Sequence, residues 1–377
     1  MATLKPFAAL RPSPNLAAKI CELPYDVMSS AEAKVIAHEN PYSFLHISKP
    51  EIDLEPDIDV YSDAVYAKGA ENFRLLQGQN ALIRDAIPCY YLYRQIMGDH
   101  EQTGLVAAAS CSEYAAGIIR KHELTRPEKE NDRVRHIQAL KSQTGPVFIT
   151  YTATNEMNAL TNRIIGTNEP DIDFCADDNV KHIAWTIDAD DDIDFIQKHF
   201  AGIERLYIAD GHHRSAAAAR VDGKGDFLVV AFPHDQMQVL AYNRALKDLN
   251  GLGTDGFLAK LESVFEISES DNGDCAAKNE LALYLDGQWR RLVFKPNVAA
   301  TDRLDVSLLQ RHVLGPVLSI DDPRTNDRIA FIGGIRGTGE LSRRVDAGEF
   351  VCAFSMFPTS IEDLMAIADA DELMPPK

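Results

Sequence analysis

Basic residues are scarce in this chain, and long apolar runs and paired cysteines are missing from it. Lys and Arg number 38 against 57 Asp and Glu, a formal net charge of -19. Nucleic-acid affinity rests on cations that neutralise phosphates, so no DNA or RNA partner is expected. The six cysteines (Cys21, Cys89, Cys111, Cys175, Cys275 and Cys352) include no CxxC pair, which excludes the short ligand spacing of zinc ribbons and fingers. They read as reduced thiols, mostly of the core. No stretch reaches the about 20 apolar residues of a membrane helix, and the opening MATLKPFAALRP has no apolar h-region. Neither a membrane partner nor a secretory signal is therefore expected, and the expected compartment is the cytoplasm. Repeats of fixed period and low-complexity tracts are also missing, which excludes a solenoid.

What is there is an ordinary globular composition, 45% apolar and 25% charged over 377 residues. That length exceeds one hydrophobic core, so two or three domains are expected. Ser29 and Glu32 have the S-x-x-E spacing of a capping box, opening a helix that Asn40-Pro41 would close. A short strand is expected at 43–48. Apolar spacing predicts helices over 61–77 (Val65, Phe73, Leu76) and 131–143 (Val134, Ile137, Leu140). CYYLYRQIM and LVAAASCSEY flank GDHEQTG and read as a hairpin with a loop of several residues.

PVFITY, HIAWTI, RLYIAD and DFLVVAF read as strands, with helices near 192–200 and from His212, a β-α-β-α-β rhythm. LALYLDGQWRRLVF reads as a tight hairpin, because Asp286-Gly287 suits a type I′ turn. The acidic run DADDDID at 188–194 lacks the glycine hinge of a calcium loop and reads as a solvated helix start. GGIRGTGE near Gly333 is not a G-x-x-x-x-G-K-[ST] phosphate loop and reads as a turn into a helix.

Chemistry concentrates in YIADGHHRSAAAA at 207–219. Gly211 lets a strand turn sharply into a helix and lets a ligand approach without a Cβ in the way. A helix starting at His212 or His213 presents unpaired N–H groups and the positive end of its dipole, which favour an anion. Arg214 can grip a phosphate in two places, and either histidine can add a hydrogen bond or a proton. Asp210, at the carboxyl end of the strand, is the candidate to hold Mg²⁺ or orient a histidine.

A second constellation, IIRKHELTRPEKENDRVRH, supplies Lys121, His122, Glu123, Arg126, Lys129, Arg133 and His136 ahead of a helix. His122-Glu123 matches the first half of HExxH, but Arg126 stands where the second histidine belongs, so zinc proteolysis is not supported. Phosphoryl transfer wants a carboxylate to take the hydroxyl proton and cations to neutralise the transferring group, and this segment has both. Tyr25 and Asp26 in CELPYDVMSS, and Arg244 in VLAYNRAL, are further candidate contacts.

The DGHHR signature, preceded by an apolar strand and followed by a helix of small residues, resembles the nucleotide-binding motif of the ParB/sulfiredoxin-like superfamily. FAALRP, LPYDVMS, NPYSFLHISKPE, GLVAAASCSEY, IIRKHELTRPEKENDR, TGPVFITY, YIADGHHRSAAA and the final MPPK are together similar to one branch of it, the family called domain of unknown function 1015. The resemblance spans nearly the whole chain. Members usually run on past MPPK, so it implies a last segment beyond that point. Relatives with the motif include free serine kinases, which move a phosphoryl group from ATP or ADP to the hydroxyl of L-serine.

The expected fold is α/β to α+β with mixed sheets. An N-terminal α/β region (1–115) would precede a ParB/sulfiredoxin-like core (116–250) carrying the DGHHR loop, and a C-terminal α/β region (251–377) would follow. The resemblance implies a nucleotide-dependent phosphotransferase acting on a small hydroxyl metabolite such as free L-serine, with ATP or ADP and Mg²⁺. Gly211, His212, His213 and Arg214 would hold phosphates and Asp210 would assist Mg²⁺. In the serine kinases a glutamate upstream of the loop is the base; the resemblance implies Glu123 as the candidate counterpart, which requires an insertion around 155–194. His122, Arg126, Arg133, Tyr25, Asp26 and Arg244 would contact substrate or phosphate. The alternative is a ParB-like nucleotide-binding switch or regulatory protein without turnover. Sulfiredoxin-like chemistry needs a thiol where the loop has His212. The sequence assigns neither the acceptor nor an oligomeric state.

Overall fold

The apolar runs of the first part of the chain pair into one nine-stranded sheet in the computed structural model, which describes residues 1–374 except 324. Residues 375–377 of the MPPK block lie outside the described residues. From one edge the strands run Ile119–Arg120, Leu206–Asp210, Val147–Tyr151, Asp226–Pro233, His100–Ser110, Tyr90–Met97, Lys181–Ile187 and Ile172–Cys175. Leu4–Lys5 pairs the far half of His100–Ser110, with Leu4 opposite Ala109. Two pairs are parallel, Leu206–Asp210 with Ile119–Arg120 and Asp226–Pro233 with Val147–Tyr151; the remaining pairs are antiparallel. The sheet is mixed, as expected. Parallel neighbours need long crossovers, and helices supply them.

Those helices follow local rules. Pro127–Leu140 starts on a proline, whose missing N–H costs nothing in a first turn, and stops at Lys141 in the left-handed region (φ 51°). It begins four residues earlier than the apolar spacing suggests, because Pro127 sets the start. His212–Val221 packs on it and on Cys111–Ala115, burying Ser215, Ala217 and Ala218. Side chains this small let the helix lie close to its neighbours. The core beneath collects Ala107, Ile149, Ile208, Phe227 and Val229 from the central strands and Ile196 and Phe200 from Asp190–Ala201.

This unit ends at Met237, and a second begins at Gln238. The boundary expected near 115 lies inside the first sheet, because His100–Ser110 pairs with Asp226–Pro233. The second unit has a six-stranded antiparallel sheet in the order Phe265–Ser270, Gln288–Phe294, Glu280–Leu285, Cys352–Met356, Tyr242–Leu246, Ile329–Gly333. Asp286 and Gly287 both have positive φ (52° and 72°), as a type I′ turn requires. Its core is built around Leu246, Phe257, Leu281, Leu292 and Phe354.

Several expectations change. The strand expected at 43–48 is the short helix Leu45–Ser48, because Ser43 Oγ accepts the N–H of Leu45 at 3.2 Å and starts a turn there. The capping box is formed, but Ser30–Ile36 stops well before Asn40-Pro41. The hairpin after Met97 turns in two residues, Gly98 and Asp99, so most of GDHEQTG is strand. Asn155–Thr167 and Ile172–Cys175 form a helix and an edge strand that the sequence reading did not place. All six cysteines are free; Cys89, Cys111 and Cys352 are buried and Cys175 is exposed. Among the described residues no helix is long and apolar enough to cross a membrane.

Candidate functional site

The two candidate segments meet because their strands are parallel neighbours. Ile119 lies opposite Leu206 and Arg120 opposite Tyr207. Both chains therefore leave the sheet at the same end, where ligands settle in open α/β sheets. His122 and Glu123 come two and three residues after one strand; His212 comes two after the other. A bulge also separates Ile208 from Asp210 in the pairing with Val147–Tyr151, and bulges of this kind re-aim the residues that follow.

The turn itself is built on Gly211, at φ 95°. A Cβ there would stand 3.0 Å from Arg214 Nε and 3.1 Å from its Cζ, so the guanidinium lies packed against the glycine. Arg214 donates to the Asp210 carboxylate and to the Pro146 carbonyl. It braces the bend from inside. Gly211, as the N-cap, has no side-chain oxygen for the first-turn N–H groups, which leaves the positive end of a ten-residue helix facing the bend.

The imidazoles take separate directions. His212 is 5% exposed and turns inward, with Nδ1 3.7 Å from Glu123 Oε2. His122 is fully buried, with Nε2 3.8 Å from Glu123 Oε1. The two rings meet edge to face with centroids 4.5 Å apart. His213 is half-buried, and its Nε2 accepts the N–H of Arg126 at 3.0 Å; burial lowers its pKa, against the opposing pull of Glu123 and Asp26. The acceptor role requires the neutral ring with its proton on Nδ1.

The N-terminal segment reaches the same place. Tyr25 lies under the Arg133 guanidinium, 3.8 Å from ring centroid to Cζ, and burial pushes its phenol up to about 12, with Arg133 and Arg214 pulling the other way. Arg133 donates to Asp132, which also accepts from Tyr66. Tyr25, Asp26, Glu123, Arg126, Arg133, His212, His213 and Arg214 thus share one neighbourhood. Asp210 is exposed, its side chain 63% accessible, as are Asp26 and Arg126. Arg244 belongs to the second unit, where it is buried, donates to the Tyr242 carbonyl and faces the Phe331 ring.

A family model described as "Protein of unknown function (DUF1015)" matches residues 4–307. The chain belongs to this family. No curated protein matches it. Similar solved structures include a conserved hypothetical protein from Pyrococcus furiosus, 13% identical, covering 73% of this chain and 88% of that one at a TM-score of 0.37. A free serine kinase in complex with AMP is 14% identical, covering 73% of this chain and 85% of that one at a TM-score of 0.40. SbnI with C-terminal truncation from Staphylococcus aureus is 10% identical, covering 72% and 79% at 0.40.

Sequence reasoning missed one grouping in this DUF1015 member. It gave Glu123 the role of base, His122 a substrate or phosphate contact and His212 the phosphates, whereas the fold faces all three toward one another. The only signal available was that both segments follow apolar strands, and strand pairing is not written in either segment alone.

Proposed function

We propose that the chain is a nucleotide-dependent phosphotransferase acting on a small hydroxyl metabolite. The observation that carries the reading is the single mouth formed by the parallel strand ends. There the glycine-started helix His212–Val221 presents its N–H groups, and the Glu123 carboxylate lies 3.7 Å from His212. An oligophosphate suits the helix start, where N–H groups and dipole act together, and Arg214 fixes the bend. Mg²⁺ takes oxygen donors; Asp210 offers an exposed carboxylate, so the ion would arrive with the nucleotide and rest there.

Glu123 supplies the basic group. The acceptor hydroxyl gives its proton to the carboxylate, its oxygen bonds to the transferred phosphorus, and the bond from that phosphorus to the leaving nucleotide oxygen breaks. His213, Arg126 and Arg133 border the space with donors suited to anionic substrate groups. Free L-serine is the first acceptor to try, since the sequence resemblance reaches free serine kinases.

The test is calorimetry with ATP and ADP in Mg²⁺, followed by assay of ADP or AMP release with a panel of hydroxyl acceptors. The expected result is saturable binding that Arg214→Ala weakens about 10- to 100-fold, because the bend presenting the helix N–H groups loses the bonds that hold it. Absence of nucleotide heat in the unaltered protein refutes the proposal. Binding without turnover across the panel selects the nucleotide-switch alternative instead.

A further inference from the structure

His122, Glu123 and His212 bring two imidazole nitrogens and one carboxylate oxygen within 4.8 Å of one another. We propose that these three side chains hold one divalent transition metal ion of the zinc, cobalt, manganese or iron class, with a coordination position left open to an oxygen ligand. The donor set argues for that class. Two nitrogens and one carboxylate suit first-row transition ions, whereas Mg²⁺ and Ca²⁺ take oxygen.

The spacing agrees. Donors about 2.0–2.2 Å from an ion at tetrahedral angles lie about 3.4 Å apart; His122 Nε2 lies 3.8 Å from Glu123 Oε1 and His212 Nδ1 3.7 Å from Glu123 Oε2, and one donor atom from each side chain falls within 4.8 Å of the other two. Gathering both nitrogens and one carboxylate oxygen around an ion shortens donor separations from at most 4.8 Å to about 3.4 Å. The rings stand nearly perpendicular, at 81°. With His122 fully buried and His212 almost so, approach is left to the side of Glu123, whose side chain is 19% exposed. Three protein donors and one accessible side is the pattern of a catalytic centre, where structural sites use four.

Charge then selects the fourth ligand. A divalent ion with one carboxylate and two neutral imidazoles keeps one positive charge, and the helix start at His212 adds to it. The open position therefore favours an anionic oxygen, from phosphate or from an ionising hydroxyl or water. Glu123 binding through one oxygen keeps the other for a proton.

The test reads metal directly and needs no substrate, so it stands or falls apart from the phosphotransferase reading. The full chain is stripped with a chelator and titrated with Co²⁺, then Zn²⁺, following the visible bands of Co²⁺ and metal content after dialysis. The expected result is one ion per chain, Co²⁺ bands displaced by Zn²⁺, and affinity lowered more than about 100-fold in His122→Ala and in His212→Ala, beyond the 10–100-fold typical of outer partners. His213→Ala, whose ring faces Arg126, keeps its affinity within about tenfold on the same scale. Failure of the unaltered chain to take up either ion overturns the site and leaves histidine–carboxylate pairing as the reason for the cluster. Equal uptake by unaltered protein and the His122→Ala/His212→Ala double variant also overturns it. Circular dichroism and a melting curve on each variant exclude loss of fold as the cause.

Discussion

Replacing Gly211 by alanine separates the bend's backbone demand from its packing demand. The residue sits at φ 95°, where a side chain costs about 1–2 kcal/mol by crowding the following carbonyl. The new Cβ would also press on Arg214, 3.0 Å from Nε and 3.2 Å from one terminal nitrogen. Moving the guanidinium loosens its bonds to Asp210 and to the Pro146 carbonyl. Asp210 is largely exposed, so that pair contributes at most about 1 kcal/mol; the carbonyl bond contributes about as much again. The sum is about 2–4 kcal/mol.

Urea unfolding at constant m-value measures this loss, and the transition of the first unit should fall by about 5–10 °C. Gly78→Ala is the internal control. Gly78 ends the helix Asp63–Gly78 with no atom within 4 Å of an added Cβ, so alanine there should be neutral or stabilising by up to about 1 kcal/mol. In an Arg214→Ala background the Gly211→Ala penalty should shrink, with a coupling of about 0.5 kcal/mol or more. A Gly211→Ala protein as stable as Gly78→Ala refutes the reasoning. An undiminished penalty without Arg214 refutes its packing half.

Acid should expose a different residue. His136 is buried, with Nε2 donating to the Ile47 carbonyl at 2.9 Å, and burial holds its pKa down at about 4. The unfolded chain then binds the extra proton between pH 6.5 and 4, so stability is full above 6.5 and falls by up to about 3 kcal/mol as pH drops through that window. Urea titrations across that range check this, and His136→Gln should flatten the slope. Ser29→Ala removes the side-chain half of a formed capping box, the bond from the Glu32 N–H to Ser29 Oγ, and leaves the Ser29 N–H on the Glu32 carboxylate, at about 1 kcal/mol; hydrogen exchange should speed up in Ser30–Ile36 while the sheets stay protected.

Local rules were legible wherever one segment contained the whole cause. The Ser29 and Glu32 box, the Asp286-Gly287 turn and the strand-glycine-helix transition at 206–221 each depend on neighbours in sequence. Leu45–Ser48 was misread because its apolar content suits a strand, while the turn started by Ser43 decides the outcome. Asn155–Thr167 shows the opposite failure. Met157, Leu160 and Ile164 have helical spacing and are buried, but the segment falls where the resemblance implies an insertion, which masks that periodicity. The division at 115 failed for a third reason: a nine-stranded sheet recruits strands from both sides of that point, and no segment states its partner.

The site illustrates what pairing adds to motif reading. His122-Glu123 lacks its second histidine at the helical spacing of HExxH, and Arg126, which replaces it, is exposed. In that motif a helix sets the distance between ligands; here a sheet does. Parallel pairing of Ile119 with Leu206 puts the residues after each strand on one edge, and the bulge before Asp210 shifts the phase with which they leave it. The spacing that matters is thus about one interstrand gap, 4.7–4.9 Å, comparable with the 4.5 Å between the two rings. A single-residue change in the bulge would re-aim His212 without altering any ligand. Deleting Ala209 should therefore abolish Co²⁺ uptake more completely than it lowers stability, and unchanged uptake in that variant would show that the turn, not the sheet, positions the ring.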